Sequence, residues 1–395
     1  SMTEELRYSM NKIQNSDLDI FCDMLSYVSP FIYDSKKDGE DVLIEIESNK
    51  KEEVLEKIKR LEEIISSDEM SKKREIKIKT LKDFTQNEPL NKENIMEKLL
   101  KDEIVVQISK GAYAYGGIFL KVFSYFNKKI DEFLEENFTD IRKYEVPVLY
   151  PIDEFEKGGY FESFPHHIMF QTTIKSDIDI LDRFAKEGTA KGEIFENMKK
   201  VTNVLRHAAC VPVYPMLENK VINSEKEVVF EVSGKCFRNE GNNIFELGRV
   251  NEFYMKEYAF VGTQDQVLQA IEKCRNLWYF WVDKFKLNGK IDTANDSFFA
   301  SNYKKLKLFQ MLGNSKQEFK LWLPDSDSYI SASSSNVHRT HFTKERNIRN
   351  EHGYCQSSCF AFGLERLTYA LLSQKGLDVK LWDDDTYEEI FGMKK

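Results

Sequence analysis

Residues 236–258 read Cys-Phe-Arg-Asn-Glu-Gly-Asn-Asn-Ile-Phe-Glu-Leu-Gly-Arg-Val-Asn-Glu-Phe-Tyr-Met-Lys-Glu-Tyr, and no other stretch constrains the fold as much. Arg238 and Glu240 are two residues apart and share one face of a strand. A polar turn, Gly241-Asn242-Asn243, follows, and the return segment carries Arg249, Phe253 and Glu257. Two antiparallel strands of this kind set two guanidinium groups, a carboxylate and an aromatic face around one cleft. Guanidinium suits phosphate and carboxylate oxygens through its fixed fork of donors, and an aromatic face suits a purine. The segment reads as a nucleotide clamp without a glycine-rich loop. So short a pattern also fits a charged surface hairpin with a Phe tucked into the core, and the rest of the chain decides between the two.

At 395 residues the chain is long for a single core, so two domains are expected. Apolar residues make up 41% of it, with 29 Phe and 18 Tyr, enough for a folded core and too much for disorder. The formal net charge of −9 and the lack of a long basic tract argue against a dedicated non-specific nucleic-acid binder. No apolar run approaches the ~20 residues of a membrane helix. The amino terminus is charged and polar, without a signal-peptide core. Cys22, Cys210, Cys236, Cys274, Cys355 and Cys359 show no disulfide-framework spacing, and a reduced, cytoplasmic setting is expected.

Residues 3–28 carry apolar positions at helical spacing, Val42–Glu47 reads as a strand, 52–65 as an amphipathic helix and 75–81 as a further strand. We expect these to belong to a small α+β appendage over residues 1–104. Residues 1–100 hold 17 Lys plus Arg against 23 Asp plus Glu, an acidic balance poorly suited to gripping tRNA. From residue 105 to 395 the pattern changes. A Gly-rich loop at 111–117 precedes a helix over 119–137 and a strand over 144–150 that contains Pro147, which suits an edge or an interface. Strands follow at 228–238, 249–262, 319–323 and 329–336, with a helix from 264 to about 288. Cys359-Phe-Ala-Phe-Gly-Leu-Glu-Arg366 leads into a last helix. Many strands with few intervening helices indicate an α+β fold, an antiparallel sheet flanked by helices.

The helix and Pro147 strand, the Arg238/Glu240 hairpin and Gly363-Leu-Glu-Arg366 resemble, in order, the three motifs of class II aminoacyl-tRNA synthetases. The resemblance implies that Arg238 contacts the α-phosphate and the amino-acid carboxylate, and that Arg366 contacts the γ-phosphate of a bent ATP. It also implies that Phe253 stacks on adenine while Glu240 and Arg249 border the nucleotide. Arg249–Glu257 and Ile330–Asn336 are similar to segments of seryl-tRNA synthetases. Stretches 159–165, 208–215, 292–299, 338–342 and 358–363 narrow the resemblance further, to amino acid:[carrier protein] ligases. These ligases are truncated relatives of the methanogen-type seryl enzyme, and the likeness covers roughly residues 108–385.

That family holds zinc through two cysteines and a glutamate, and the matching positions are Cys210, Glu257 and Cys359. Two thiolates and a carboxylate with one open position form a catalytic-type zinc site. By the resemblance, the open position takes the substrate amino group. Spacing alone gives no such assignment, since the three are far apart in the chain. His166, His167, His338 and His341 read as structural residues. One departure concerns Mg2+: Lys320 and Ile330 stand where seryl enzymes carry acids, although the carrier-protein ligases also lack the second acid.

The expected activity is formation of an aminoacyl-adenylate from ATP and a small amino acid, followed by transfer to the phosphopantetheine thiol of a carrier protein. Zn2+, ATP and Mg2+ are the expected cofactors and a homodimer the expected state, with tRNA disfavoured as partner. Alternatives are an atypical seryl-tRNA synthetase and a non-catalytic paralogue that binds ATP or an amino acid. The amino acid itself, the carrier and the role of residues 1–104 are not encoded in any motif.

Overall fold

The computed structural model describes residues 2–66, 78–189, 193–294 and 315–395. Within them an eight-stranded sheet organises the chain. In spatial order its strands are Thr80–Asp83, Gly289–Thr293, Lys316–Leu323, Ser328–Arg339, Gln356–Gly363, Glu252–Gly262, Val228–Phe237 and Arg142–Tyr144. All neighbours pair antiparallel except the last, which lies parallel to Val228–Phe237. The α+β architecture expected from the strand-rich pattern is the one observed. No helix among the described residues is long and apolar enough to cross a membrane.

Alternation along the central strands sorts their side chains between two environments. On one face, Tyr258, Phe260, Phe319, Leu321, Phe360 and Phe362 join the main core. Helices Gly117–Asn137, Gln264–Phe285 and Leu364–Lys375 cover that face, contributing Phe126, Trp278, Trp281 and Leu371 among others. Trp278 stacks on Phe319 at 5.4 Å between ring centroids. The other face carries a smaller cluster that includes Cys210, Val232, Cys236, Met255 and Ala259. That second face holds the charged residues of interest.

Residues 2–66 form a separate unit. Strands Thr3–Ser9, Asp41–Glu47 and Ile32–Asp38 make a three-stranded sheet in that order, backed by helices Leu18–Met24 and Lys51–Ser66. Its own core contains Phe21, Val42, Ile44, Ile46, Val54 and Ile58. Thr3–Ser9 is a strand where helical spacing was expected, because Leu6 and Tyr8 also fit a period of two and both pack on this small core. The strand expected over 75–81 falls partly outside the described residues, and Thr80–Asp83 pairs with Gly289–Thr293 in the large sheet. Ile95 and Leu99 lie in the main core, so residues 80–101 pack with the large sheet and not with the appendage expected to reach residue 104.

Two further differences have local causes. The Gly-rich segment at 111–117 contains a strand, Ala112–Tyr115, that closes a hairpin with Val105–Ser109. The strand expected over 144–150 is interrupted, with Arg142–Tyr144 in the large sheet and Leu149–Pro151 in a separate three-stranded sheet. Pro147 lies in the break, where its missing N–H interrupts no ladder.

The helix Gln264–Phe285 starts in a capping box: Gln266 N–H donates to Thr263 Oγ1 at 3.2 Å, and Thr263 N–H donates to Gln266 Oε1 at 2.9 Å. Replacing Thr263 by Ala should cost about 1 kcal/mol, read as a lower urea midpoint with an unchanged m-value.

Candidate functional site

The hairpin formed by Val228–Phe237 and Glu252–Gly262 pairs Cys236 with Phe253 and Val232 with Glu257. Continuing the alternation past Phe237 puts Arg238 on the face opposite the helices, with Phe253 and Glu257 across from it. The Arg238 guanidinium lies 5.3 Å from the centroid of the Phe253 ring, and its Nε donates to the carbonyl of His207 at 3.1 Å. Arg238 and Phe253 thus meet as a cation–π pair on this face.

Glu240 is 5% exposed, and its Oε2 accepts a 2.9 Å hydrogen bond from Arg249 Nε. The two outer nitrogens of Arg249 donate at 3.0 Å to the two carboxylate oxygens of Asp23, from the amino-terminal unit. Desolvation works against the Arg249 charge, yet Asp23 and Glu240 outweigh it and raise its pKa. Burial raises Asp23 above the usual carboxylate range, with Arg249 opposing.

Arg366 lies in the first turn of Leu364–Lys375, which opens directly after Gly363 of the central strand. Its Nη1 donates to the carbonyl of Ser331 at 2.9 Å. The residue keeps part of its surface open, but its guanidinium is enclosed enough that desolvation pushes its pKa down to about 10. Arg249 and Arg238 add to the depression, while Glu240 and Glu318 oppose it. The Arg249 and Arg238 guanidinium groups thus both repel that of Arg366, an arrangement that an anion relieves.

Cys359 sits opposite Ala259 in the register of Gln356–Gly363 with Glu252–Gly262, diagonal to Glu257 and on the same face. Cys210 reaches both from the loop before the short helix Val213–Met216, and its backbone N–H donates to Glu257 Oε1 at 2.6 Å. The Cys210 and Cys359 thiols hydrogen-bond each other, and Glu257 bonds to both. The Cys359 interaction, then burial, raises the Cys210 thiol well above its ordinary value, while burial raises Glu257. The three residues matched to the family's zinc ligands are thus in mutual contact as a hydrogen-bonded cluster. Among the described residues, no group of three or more His, Cys, Asp or Glu stands in metal-holding geometry.

Other positions fall as follows. His338 contacts Cys359 Sγ through Nε2 at 3.5 Å and lies 3.2 Å from both Tyr214 Oη and Ser357 Oγ through Nδ1. His166 and His167 flank the hairpin turn: the carbonyl of His167 accepts from Asn239 N–H at 2.8 Å, and burial drives its own imidazole pKa far down. Lys320 pairs with the buried Asp292 at 3.1 Å, as does Lys290 at 3.6 Å. Glu318 lies two residues before Lys320 on the same face and acts on Arg366 through its charge. Residues 295–299 of the stretch that begins at Asp292 lie outside the described residues. Asp23, Glu318 and His338 are neighbours of the site that no motif assigns to it. Strand period could have found Glu318; no sequence signal leads to Asp23.

These features define a class II synthetase core. Residues 194–375 match the family model described as "tRNA synthetase class II core domain (G, H, P, S and T)". Amino acid–[acyl-carrier-protein] ligase 2 of Bradyrhizobium diazoefficiens is 30% identical over 238 residues, covering 58% of this chain and 68% of that protein. The type-2 serine–tRNA ligase of Methanocaldococcus jannaschii is 28% identical over 247 residues, 60% of this chain. The chain spans about half of that ligase's length, 47%. In solved structures, the Methanopyrus kandleri seryl-tRNA synthetase in complex with an Aquifex aeolicus tRNA(Sec) shares the fold over the whole chain, with a TM-score of 0.66, 18% identity and 79% of that chain covered. The chain belongs to the amino acid:[carrier protein] ligase family, which is related to the catalytic domain of methanogen-type serine–tRNA ligases.

Burial pushes the Glu365 carboxyl up to about 7, and both of its oxygens accept from Tyr254 N–H at 2.9 Å. A carboxyl raised by folding is bound to its proton more tightly in the folded state, so its contribution is lost as pH rises from about 4.5 through about 7. Glu365→Gln should remove that loss. Across this window, the stability of the wild type relative to the variant should fall by roughly 2–3 kcal/mol, read from urea unfolding at a series of pH values.

Proposed function

We propose that the protein activates a small amino acid with ATP as an aminoacyl-adenylate and passes the acyl group to the phosphopantetheine thiol of a carrier protein. The observation that carries this reading is the meeting of Arg238, Arg249 and Arg366 with the Cys210–Glu257–Cys359 cluster on one sheet face. In the proposed reaction a substrate carboxylate oxygen attacks the α-phosphorus of ATP, pyrophosphate leaves, and the carrier thiol then displaces AMP from the acyl carbon. No enzyme nucleophile is needed. Arg238 neutralises charge at the α-phosphate, and Arg366 and Arg249 bind the distal phosphates. Phe253 offers its face to adenine, with Glu240 at the rim of the nucleotide pocket.

In residue type, Cys210, Glu257 and Cys359 suit a catalytic-type zinc ion, and the three touch one another without standing in metal-holding geometry. Cys210, Glu257 and Cys359 would hold the ion, which would supply Lewis-acid binding of the substrate's α-amino nitrogen. Mg2+ belongs with the phosphates. Glu318 offers a carboxylate near Arg366. By the resemblance of the helix and the Pro147 segment to the first class II motif, a homodimer is part of the reading.

Amino-acid-dependent pyrophosphate exchange tests the first step. We expect exchange with one or more of glycine, alanine and serine, with about one zinc per chain. No exchange with any amino acid in zinc-loaded protein would sink the reading. Arg366→Ala should lower the exchange rate by about 10²–10³ with the fold intact by circular dichroism. Cys359→Ser should bring zinc per chain, by elemental analysis, close to zero. Serylation of tRNA without acylation of a phosphopantetheinylated carrier protein would transfer the second step to the alternative acceptor.

A further inference from the structure

The amino-terminal unit does not merely precede the nucleotide site; it is docked on the site's loop. Within that unit, residues 23–32 carry the polar contacts to the turn and return strand of the hairpin. Asp23 takes both outer nitrogens of Arg249 at 3.0 Å, and its backbone carbonyl accepts from Asn243 Nδ2 at 2.9 Å. Ser26 Oγ accepts from Asn242 N–H at 2.7 Å, Tyr27 Oη donates to the carbonyl of Asn239 at 2.5 Å, and the carbonyl of Ile32 accepts from Asn242 Nδ2 at 3.4 Å. Tyr27 also sits edge-on against His166, 4.9 Å between ring centroids.

The fit depends on the turn itself. Gly241 has φ +56°, and a Cβ there would stand 2.1 Å from Ser26 Oγ. A backbone this close to another unit tolerates only glycine at that point. The two Asn side chains after it spend their amide donors on the amino-terminal unit instead of on solvent. The contact is therefore specific in shape and in hydrogen bonding.

Its chemistry is that of substitution. A carboxylate bound side-on to a guanidinium by two parallel N–H···O bonds occupies the same fork that a phosphate would use. Arg249 has no third edge to offer, because its Nε is held by Glu240 at 2.9 Å. We infer that Asp23 is a latch on the nucleotide site: the amino-terminal unit holds the Arg249 fork, and the distal phosphates of ATP and the docked unit compete for it. This rests on the reading of Arg249 as a phosphate ligand given above.

Competition and support have opposite signs, so binding decides between them. If Asp23 competes with phosphate, its removal tightens ATP binding; if the unit only props the loop in shape, its removal loosens it. The experiment is titration calorimetry of the full chain with a non-hydrolysable ATP analogue and Mg2+, for the wild type, Asp23→Asn and Tyr27→Phe. Asp23→Asn should lower the dissociation constant about tenfold, and Tyr27→Phe, which weakens the docking without touching Arg249, should lower it by a smaller factor. Unchanged or weaker binding in Asp23→Asn, with the wild type binding normally, would overturn the latch and leave the adenylate-forming reading standing. Absence of binding in all three proteins would overturn both. Unfolding midpoints of the variants within a few degrees of the wild type establish that the comparison is between folded proteins.

Discussion

The structure depends on one strand, Glu252–Gly262, and on being paired on both sides. Its neighbours are Val228–Phe237 and Gln356–Gly363, each antiparallel over eight or more residue pairs. Double pairing satisfies both edges, and separate apolar clusters cover the two faces, so the period of two forces a division of labour. Tyr258 and Phe260 serve the helix-covered core, while Phe253 and Glu257 look the other way. A slip of one residue would send Glu257 into the core of Trp278 and Trp281 and turn Tyr258 toward the cleft. The apolar packing therefore fixes the register, and the register fixes the site.

The charged residues on the helix side show how narrow this separation is. Lys256 is 3% exposed and would be a buried charge facing the helices, but it pairs with Asp131 of Gly117–Asn137 at 2.7 Å and with Glu231 of the next strand at 3.1 Å. A buried charge is tolerable only with such partners. On the site face the balance is left open. Burial lowers the Arg366 guanidinium and raises the Glu257 carboxyl, and contact with Cys359 together with burial raises the Cys210 thiol. Sites of chemistry are where such unbalanced charge accumulates.

Much of this was legible in the chain. Helices over 117–137 and 264–285 carry long apolar stripes, and the strands around 228–237 and 252–262 carry alternating or continuous apolar runs, so composition and period sufficed. The site residues were legible by another route, the resemblance of short motifs. Arg238, Arg249, Phe253 and Glu257 lie on one hairpin, and Arg366 stands at a strand-to-helix junction. Thr3–Ser9 departs from the helical expectation because seven residues with alternating apolar positions fit a helix nearly as well as an edge strand. The small core of Val42, Ile44 and Ile46 decided between them. That Thr80–Asp83 joins the large sheet has no local signal, because it is short and exposed, with nothing in its own residues to announce a partner some 200 positions later.

What the sequence determined by itself was local: element type, the face on which each hairpin residue lies, and the set of residue types a nucleotide and a small amino acid would need. Local order suffices there because hydrogen-bonding period and side-chain spacing are properties of neighbouring residues. The tertiary structure decided which distant residues meet. It brought Cys210 to Glu257 across 47 positions, and it laid Asp23 on Arg249 across 226. Neither meeting has a signature in the chain, because contact between remote residues is set by how sheets and cores close, not by spacing along the backbone.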